Sequence, residues 1–424
     1  MAERPRDPNH LNRPVSVRLI VRTAALAGLC ILGAAAPSRA QDAEEKAIGG
    51  GEHLLSTSGV EPSVATYGRG GFVMVWANAE PGDFGIRGAL LAPGAVNPGP
   101  PFAVSTGPGS QQDHPAVSAD SRGRFVVVWQ SVSASDVTLA GQRYGIGGAR
   151  QGSELVLLQP DGDADLFPKV AMGDNGAFVV SWVDFLLNGD RNIAAARFSA
   201  NGAPLGGEIA QPALGAAGND NAQVVHYPGG FAVGWDELGT CSLCPTGERS
   251  FNAAVNRFDD SGRRVGRIYR LSAGAETDPG FALAGLASSR AGALAVFSAP
   301  DGVFGQRFAP SGQPVGGLFP IRHGPVCVAT HCQNLRAVAM DDNGRFALVW
   351  EISDGLSVFN LSAQLYSAAN KPRGVLFPVT LKLSIEPETP AAALANDGSL
   401  EVVWTRVDPF QTDHQLFARR LRLP

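Results

Sequence analysis

The ten residues SRGRFVVVWQ (121–130) recur in near copy along the chain, as GGFVMVW, GAFVVSW, GGFAVGW, GRFALVW and GSLEVVW. Aligned on the closing aromatic, the copies end at Trp76, Trp129, Trp182, Trp235, Phe297, Trp350 and Trp404, with successive spacings of 53, 53, 53, 62, 53 and 54 residues. The six tryptophans of this set are all that the 424-residue chain contains. A chain whose every Trp falls at one phase of a long period is an array of equivalent units.

Each unit carries four apolar runs separated by turn residues. The first reads PSVA (from 62), PAVS (115), PKVA (168), AQVV (222), RAVA (336) or PAAA (390), and a Gly-containing turn such as GDNG (173) follows it. The F-V-V-V-W run is second. The third reads GQRY (141), AARF (195), VNRF (255), GQRF (305) or AQLY (363), and the fourth PFAVS (101), LFPI (318) or LFPVT (376). β-branched and aromatic residues bounded by Gly, Pro, Asn and Asp are strand signals. Four strands per unit of this length match a β-propeller blade, whereas separate sandwiches would need about 100 residues each. The second run is apolar on both sides, as a strand covered on both faces must be. The abundant Gly (52) and Pro (30) argue against long helices.

The last unit (390–424) lacks a fourth run. The segment AIGGGEHLLST near the N-terminus resembles PVGGLFPI (314–321), so residues 47–57 are predicted to pair with 416–423. The expected fold is all-β: a seven-bladed β-propeller with four antiparallel strands per blade, its last blade closed by the N-terminal strand. Closure would hide two sheet edges. The repeated Trp then packs between blades and is not a platform for sugars.

The pattern P-x-V-A … G-x-F-V-V-V-W … G-Q-R-F … G-x-P-V-G-G-x-F, over about residues 47–424, resembles repeats of exported bacterial proteins with predicted β-propeller folds. The resemblance implies the fold and brings no catalytic residue with it. The fifth unit departs most, with PGFALAGLASSRAGALAVF (279–297).

The first forty residues read as a secretory signal: Arg4, Arg6, Arg13, Arg18 and Arg22, then TAALAGLCILGAAA (23–36), then small residues at Ser38 and Ala40. Cleavage after Ala40 would leave a short linker (41–46) and one domain (47–424), secreted or periplasmic, without a transmembrane anchor. That chain carries 28 basic and 37 acidic residues, a net charge of −9. Such a charge disfavours nucleic acid as a partner.

The longer second-to-third-strand loop of the fourth unit carries Cys241 and Cys244. The link after the fifth carries Cys327 and Cys332. In an oxidising compartment two local disulfides are expected, Cys241–Cys244 and Cys327–Cys332. Cross-pairing between the loops and a zinc site with His331 are the alternatives. Asp161, Asp163 and Asp165 alternate in another link, a spacing that suits Ca²⁺ but lacks the bidentate Glu of an EF-hand; a solvated acidic turn is the simpler reading. Polar residues just before the first strands, Glu61, Asp113, His114, Asp220, Asn221, Asp278, Gln333 and Glu388, should ring the mouth of the central channel. Converging carboxylates and an imidazole could bind a polar ligand there, although turn-forming residues occupy that place in any propeller. No nucleophile elbow, H-E-x-x-H motif or phosphate loop is present. The expected function is an exported, non-enzymatic, monomeric propeller that binds a protein or glycan of the cell envelope through its loop-rich face. The alternative is a polysaccharide-active hydrolase or lyase with its acidic residues at the channel mouth.

Overall fold

The computed structural model describes residues 50–80, 82–106, 111–133, 137–158, 164–186, 190–212, 218–240, 249–271, 281–299, 301–323, 327–328, 331–353, 359–381, 387–407 and 414–422. Residues 1–49, which include the stretch read as a secretory signal (1–40) and linker (41–46), lie outside them. The described chain is all-β, with one short 3-10 turn at Ile146–Gly148. Among the described residues no helix is long and apolar enough to cross a membrane.

Each of the first six repeats carries four strands paired antiparallel in chain order, a β-propeller-like arrangement. In the first repeat these are Gly59–Tyr67, Gly71–Asn78, Ile86–Leu91 and Phe102–Ala103. The second and third repeats join through one parallel bridge, Val137 to Ala164, and Cys327–Val328 adds a fifth strand to the sixth repeat's sheet. The last repeat contributes three strands, Pro387–Leu394, Ser399–Val407 and His414–Arg422. The fourth strand of that sheet is His53–Ser56, with His53 opposite Ala418 and Leu54 opposite Phe417.

Turn chemistry explains the tight hairpins. In the second repeat Asp120 Oδ1 accepts from the backbone N–H groups of Arg122 (3.0 Å) and Arg124 (2.9 Å). Gly123 takes φ 90° there, a conformation that costs other residues energy. Asp341, Asn343, Gly344 and Arg345 repeat the device in the sixth.

The second strands form the core; every residue of Gly71–Asn78 is buried. The repeated aromatics are 0–4% exposed, which excludes them as sugar platforms. Trp129 packs against Val73, Val75 and Ile86 of the repeat before it, and Trp182 against Val126, Val128 and Leu139. Trp76 packs against Val403, Leu416 and Ala418 of the last repeat. Third-strand arginines stitch one repeat to the next: Arg143 Nη1 donates to Ala200 O (2.9 Å) and Arg197 Nη1 to Asp260 O (2.8 Å). The first strands lie side by side, each against its neighbours in the adjoining repeats, so their N-terminal ends gather on one face.

Candidate functional site

The first strands share an irregularity near their start. Register with the second strand slips between Val60 and Ser63, Asp113 and Ala116, Leu166 and Lys169, Asp220 and Gln223, and Glu388 and Ala391. Proline explains the place: Pro62, Pro115, Pro168 and Pro390 have no N–H for the ladder, and each disfavours the helical region for the residue before it. That preceding residue is left-handed, at Glu61 (φ 52°), His114 (49°), Phe167 (55°) and Thr389 (39°), and Asn221 (58°) adopts the same conformation before Ala222. Non-glycine residues rarely hold this conformation, and a bulge re-aims the side chain it carries. One phase of the repeat therefore presents chemically varied side chains at one end of the inner strands.

Three of these residues and one neighbour form a cluster across adjacent repeats. Glu61 Oε2 accepts from His114 N (2.6 Å), and Glu61 Oε1 lies 3.1 Å from His114 Nε2. His114 Nδ1 is 3.2 Å from Asp113 Oδ1. The His114 ring meets Phe167 edge to face at 4.6 Å, and Phe167 is 39% exposed although it is a large apolar side chain. Phe167 N donates to Gln130 Oε1 (3.2 Å), which ties the bulge to the second repeat.

Asp220 is held elsewhere, by Arg191 Nη1 at 2.8 Å, with the guanidinium stacked on Phe185. Asn221 Nδ2 donates to Asp236 Oδ2 (2.9 Å) and to Leu283 O (2.7 Å), and Leu283 N donates to Asp236 Oδ1 (2.6 Å). Burial pushes the Asp236 carboxyl up to about 7 against the opposing pull of those hydrogen bonds.

Lys169, the first residue in register after the bulge of the third repeat, is exposed between buried Pro168 and Val170. Surrounding protein desolvates its ammonium and lowers its pKa, while the Glu61 carboxylate raises it.

The other sequence-derived candidates are dispersed. Glu388 and Gln333 occupy first strands, opposite Thr405 and Ile352. Asp165 is buried opposite Asp184. Asp161, Asp163, Asp278, Cys241 and Cys244 lie outside the described residues. The backbones of Cys327 and Cys332 face one another as antiparallel partners. Among the described residues no group of three His, Cys, Asp or Glu side chains could hold a metal ion.

At the opposite end of the first strands lies a cavity of about 1030 Å³, walled by the ends of all these strands and their turns. Arg290 stands between Asp342 (3.7 Å) and Asp174 (4.0 Å) there.

No family model matches the chain, and no curated protein does. Among solved structures, a polysaccharide lyase of family PL25, an ulvan lyase, is similar with a TM-score of 0.54 and 11% identity, over 86% of this chain and 94% of its own. The GH93 α-L-arabinofuranosidase of Fusarium graminearum gives 0.48 and 9%, over 89% and 97%. The Cps50 (Swd1) β-propeller domain of Myceliophteria thermophila gives 0.42 and 9%, over 86% and 98%. At 11% identity the lyase shares the fold, and the other two likenesses are weaker.

Phe167, Lys169 and Asp236 were not singled out as site residues from the sequence. The signal was present for Lys169: PKVA breaks a phase that elsewhere reads PSVA, PAVS or PAAA.

Proposed function

We propose that the protein is an exported, monomeric seven-bladed β-propeller, of the kind the repeat motif resembles, that binds a glycan of the cell envelope or exterior at the mouth of its channel. The ring is supported by the pairing of His53–Ser56 with His414–Arg422 and by Trp76 packing on the last repeat. The observation that carries the function is the exposed Phe167 ring beside the Glu61–His114–Asp113 cluster. An apolar ring face next to a few fixed acceptors and donors suits a sugar, which has apolar C–H faces and hydroxyl edges. The identified neighbours add only that this fold can serve proteins named for polysaccharide chemistry.

The test is a glycan-array and cell-envelope binding screen with the mature chain, followed by titration of the best oligosaccharide against Phe167→Ala and Glu61→Gln. Each change should weaken binding at least tenfold without altering the melting temperature. A full-strength Phe167→Ala variant, or binding to envelope protein alone, would overturn the reading.

A further inference from the structure

We infer that Phe84 is a second sugar platform and forms one extended site with Phe167, so that the glycan taken is a linear chain gripped along its length. This inference rests on the glycan reading and narrows it.

Of the exposed large apolar side chains among the described residues, only Phe84 (46% exposed) and Phe167 (39%) are aromatic. A lone exposed apolar side chain is ordinary on any protein surface. Here the two rings flank the start of one strand, Gln111–Ala119 of the second repeat. Phe84 lies in the first repeat, in the loop between Gly71–Asn78 and Ile86–Leu91, and its carbonyl oxygen accepts from Gln112 N (3.0 Å). Phe167 comes from the third repeat, and its ring meets that of His114. Polar groups occupy the interval: Gln111 Nε2 donates to Asp113 Oδ2 (3.3 Å), and Asp113 Oδ1 faces His114 Nδ1 (3.2 Å). Gln112 to His114 is two residues of extended strand, which with the contacts at either end sets the rings on the order of 10 Å apart. That span exceeds one sugar ring and lies within reach of an oligosaccharide.

The loop holds Phe84 in its exposed place. Asn78 N donates to Gly85 O (2.9 Å), Asn78 Nδ2 to Asp83 O (3.0 Å) and Ile86 N to Ser105 Oγ (2.8 Å). A backbone fixed on both sides of the ring loses little freedom when a ligand settles there. A protein partner would call for a contiguous apolar core. These rings are instead divided by a carboxylate, an imidazole and an amide. That alternation matches a sugar chain, whose apolar C–H faces are separated by hydroxyl edges.

The experiment is calorimetric titration of the mature chain with chito-oligosaccharides of one to six units, and with the same lengths of the best glycan from the array. In at least one series the wild type should bind the longest oligomers about tenfold or more tighter than the shortest that binds. Phe84→Ala should remove that gain, so that long and short oligomers bind alike, and Phe84→Tyr should keep it. Phe84→Leu, which retains an apolar side chain without the ring, guards against misfolding and should lose the gain as well. Wild-type affinity that does not depend on length, or a gain that survives in Phe84→Ala or Phe84→Leu, overturns the inference and leaves the glycan reading standing. Binding of no oligomer in either series, or capture of an envelope protein alone, overturns both.

Discussion

Arg420, on the last strand of the chain, donates from Nη2 to the carbonyl oxygen of Gly70 in the first repeat, 2.8 Å away. It does for the two ends of the chain what Arg143 and Arg197 do between consecutive repeats. Glu52 adds a second tie: its carboxylate lies 2.7 Å from Arg406 Nη2 and accepts from Leu381 N at 2.6 Å, with both charged side chains under 10% exposed.

The seam should therefore be a stability hot spot. Glu52→Ala leaves the Arg406 guanidinium buried and uncompensated, and should cost about 3–5 kcal/mol. Denaturant unfolding of the mature chain measures it. Replacing both partners with apolar residues, Glu52→Leu with Arg406→Met, should recover much of the loss. A surface-like cost below about 1 kcal/mol for Glu52→Ala would mean that the seam carries little of the fold's stability.

The tryptophans make a separate prediction. The indole Nε1 atoms of Trp76, Trp129, Trp182, Trp235 and Trp404 are buried without a hydrogen-bond partner, and Phe297 fills the same place in the fifth repeat. Ring volume, not the N–H, is what the position uses. Trp129→Phe should cost about 1 kcal/mol or less, while Trp129→Ala should cost about 3–5 kcal/mol. Thermal unfolding of the two variants separates packing from hydrogen bonding.

Stability should fall as pH rises from about 4 to about 8. Burial raises Asp236 to about 7 and Glu401 to about 8, above the values these groups have in the unfolded chain. The folded state therefore holds protons that the unfolded state has released within this window. Its advantage is complete below pH 4 and is lost by the time both groups ionise, at up to about 1.4 kcal/mol per pH unit per group. Asp236→Asn should reduce the slope below about pH 7, and Glu401→Gln should reduce it there and remove it between about 7 and 8. Denaturant midpoints at half-unit pH steps provide the measurement.

Cys327 and Cys332 are directly opposed on paired strands, a placement whose Cα separation suits a disulfide. Oxidised protein should release a peptide pair linked through these two residues on non-reducing digestion and mass analysis. Cross-linked peptides joining Cys327 or Cys332 to Cys241 or Cys244 would contradict the local pairing.

Much of the architecture was legible in the sequence because it is periodic. A strand covered on both faces must be apolar throughout, so Phe125–Val132 and its copies could be read directly, and the repeated Trp marked their phase. The terminal pairing was legible as one missing run and one spare run; the observed strand, His53–Ser56, is shorter than residues 47–57. The bridge between Val137 and Ala164 was not legible, since it depends on how two neighbouring sheets twist toward one another.

The candidate site divides along the same line. Local chemistry singles out Glu61, Asp113 and His114 as polar residues before a proline, and it cannot say that they meet. Their meeting depends on left-handed bulges aligned between repeats 53 residues apart. Lys169 is the sharper case: along the chain it is one substitution in PKVA, and only the fold brings its ammonium within electrostatic reach of Glu61. Repetition is a property of neighbours in sequence, which composition and spacing record. Electrostatic pairing depends on distance through space, and the folded strands alone set that distance.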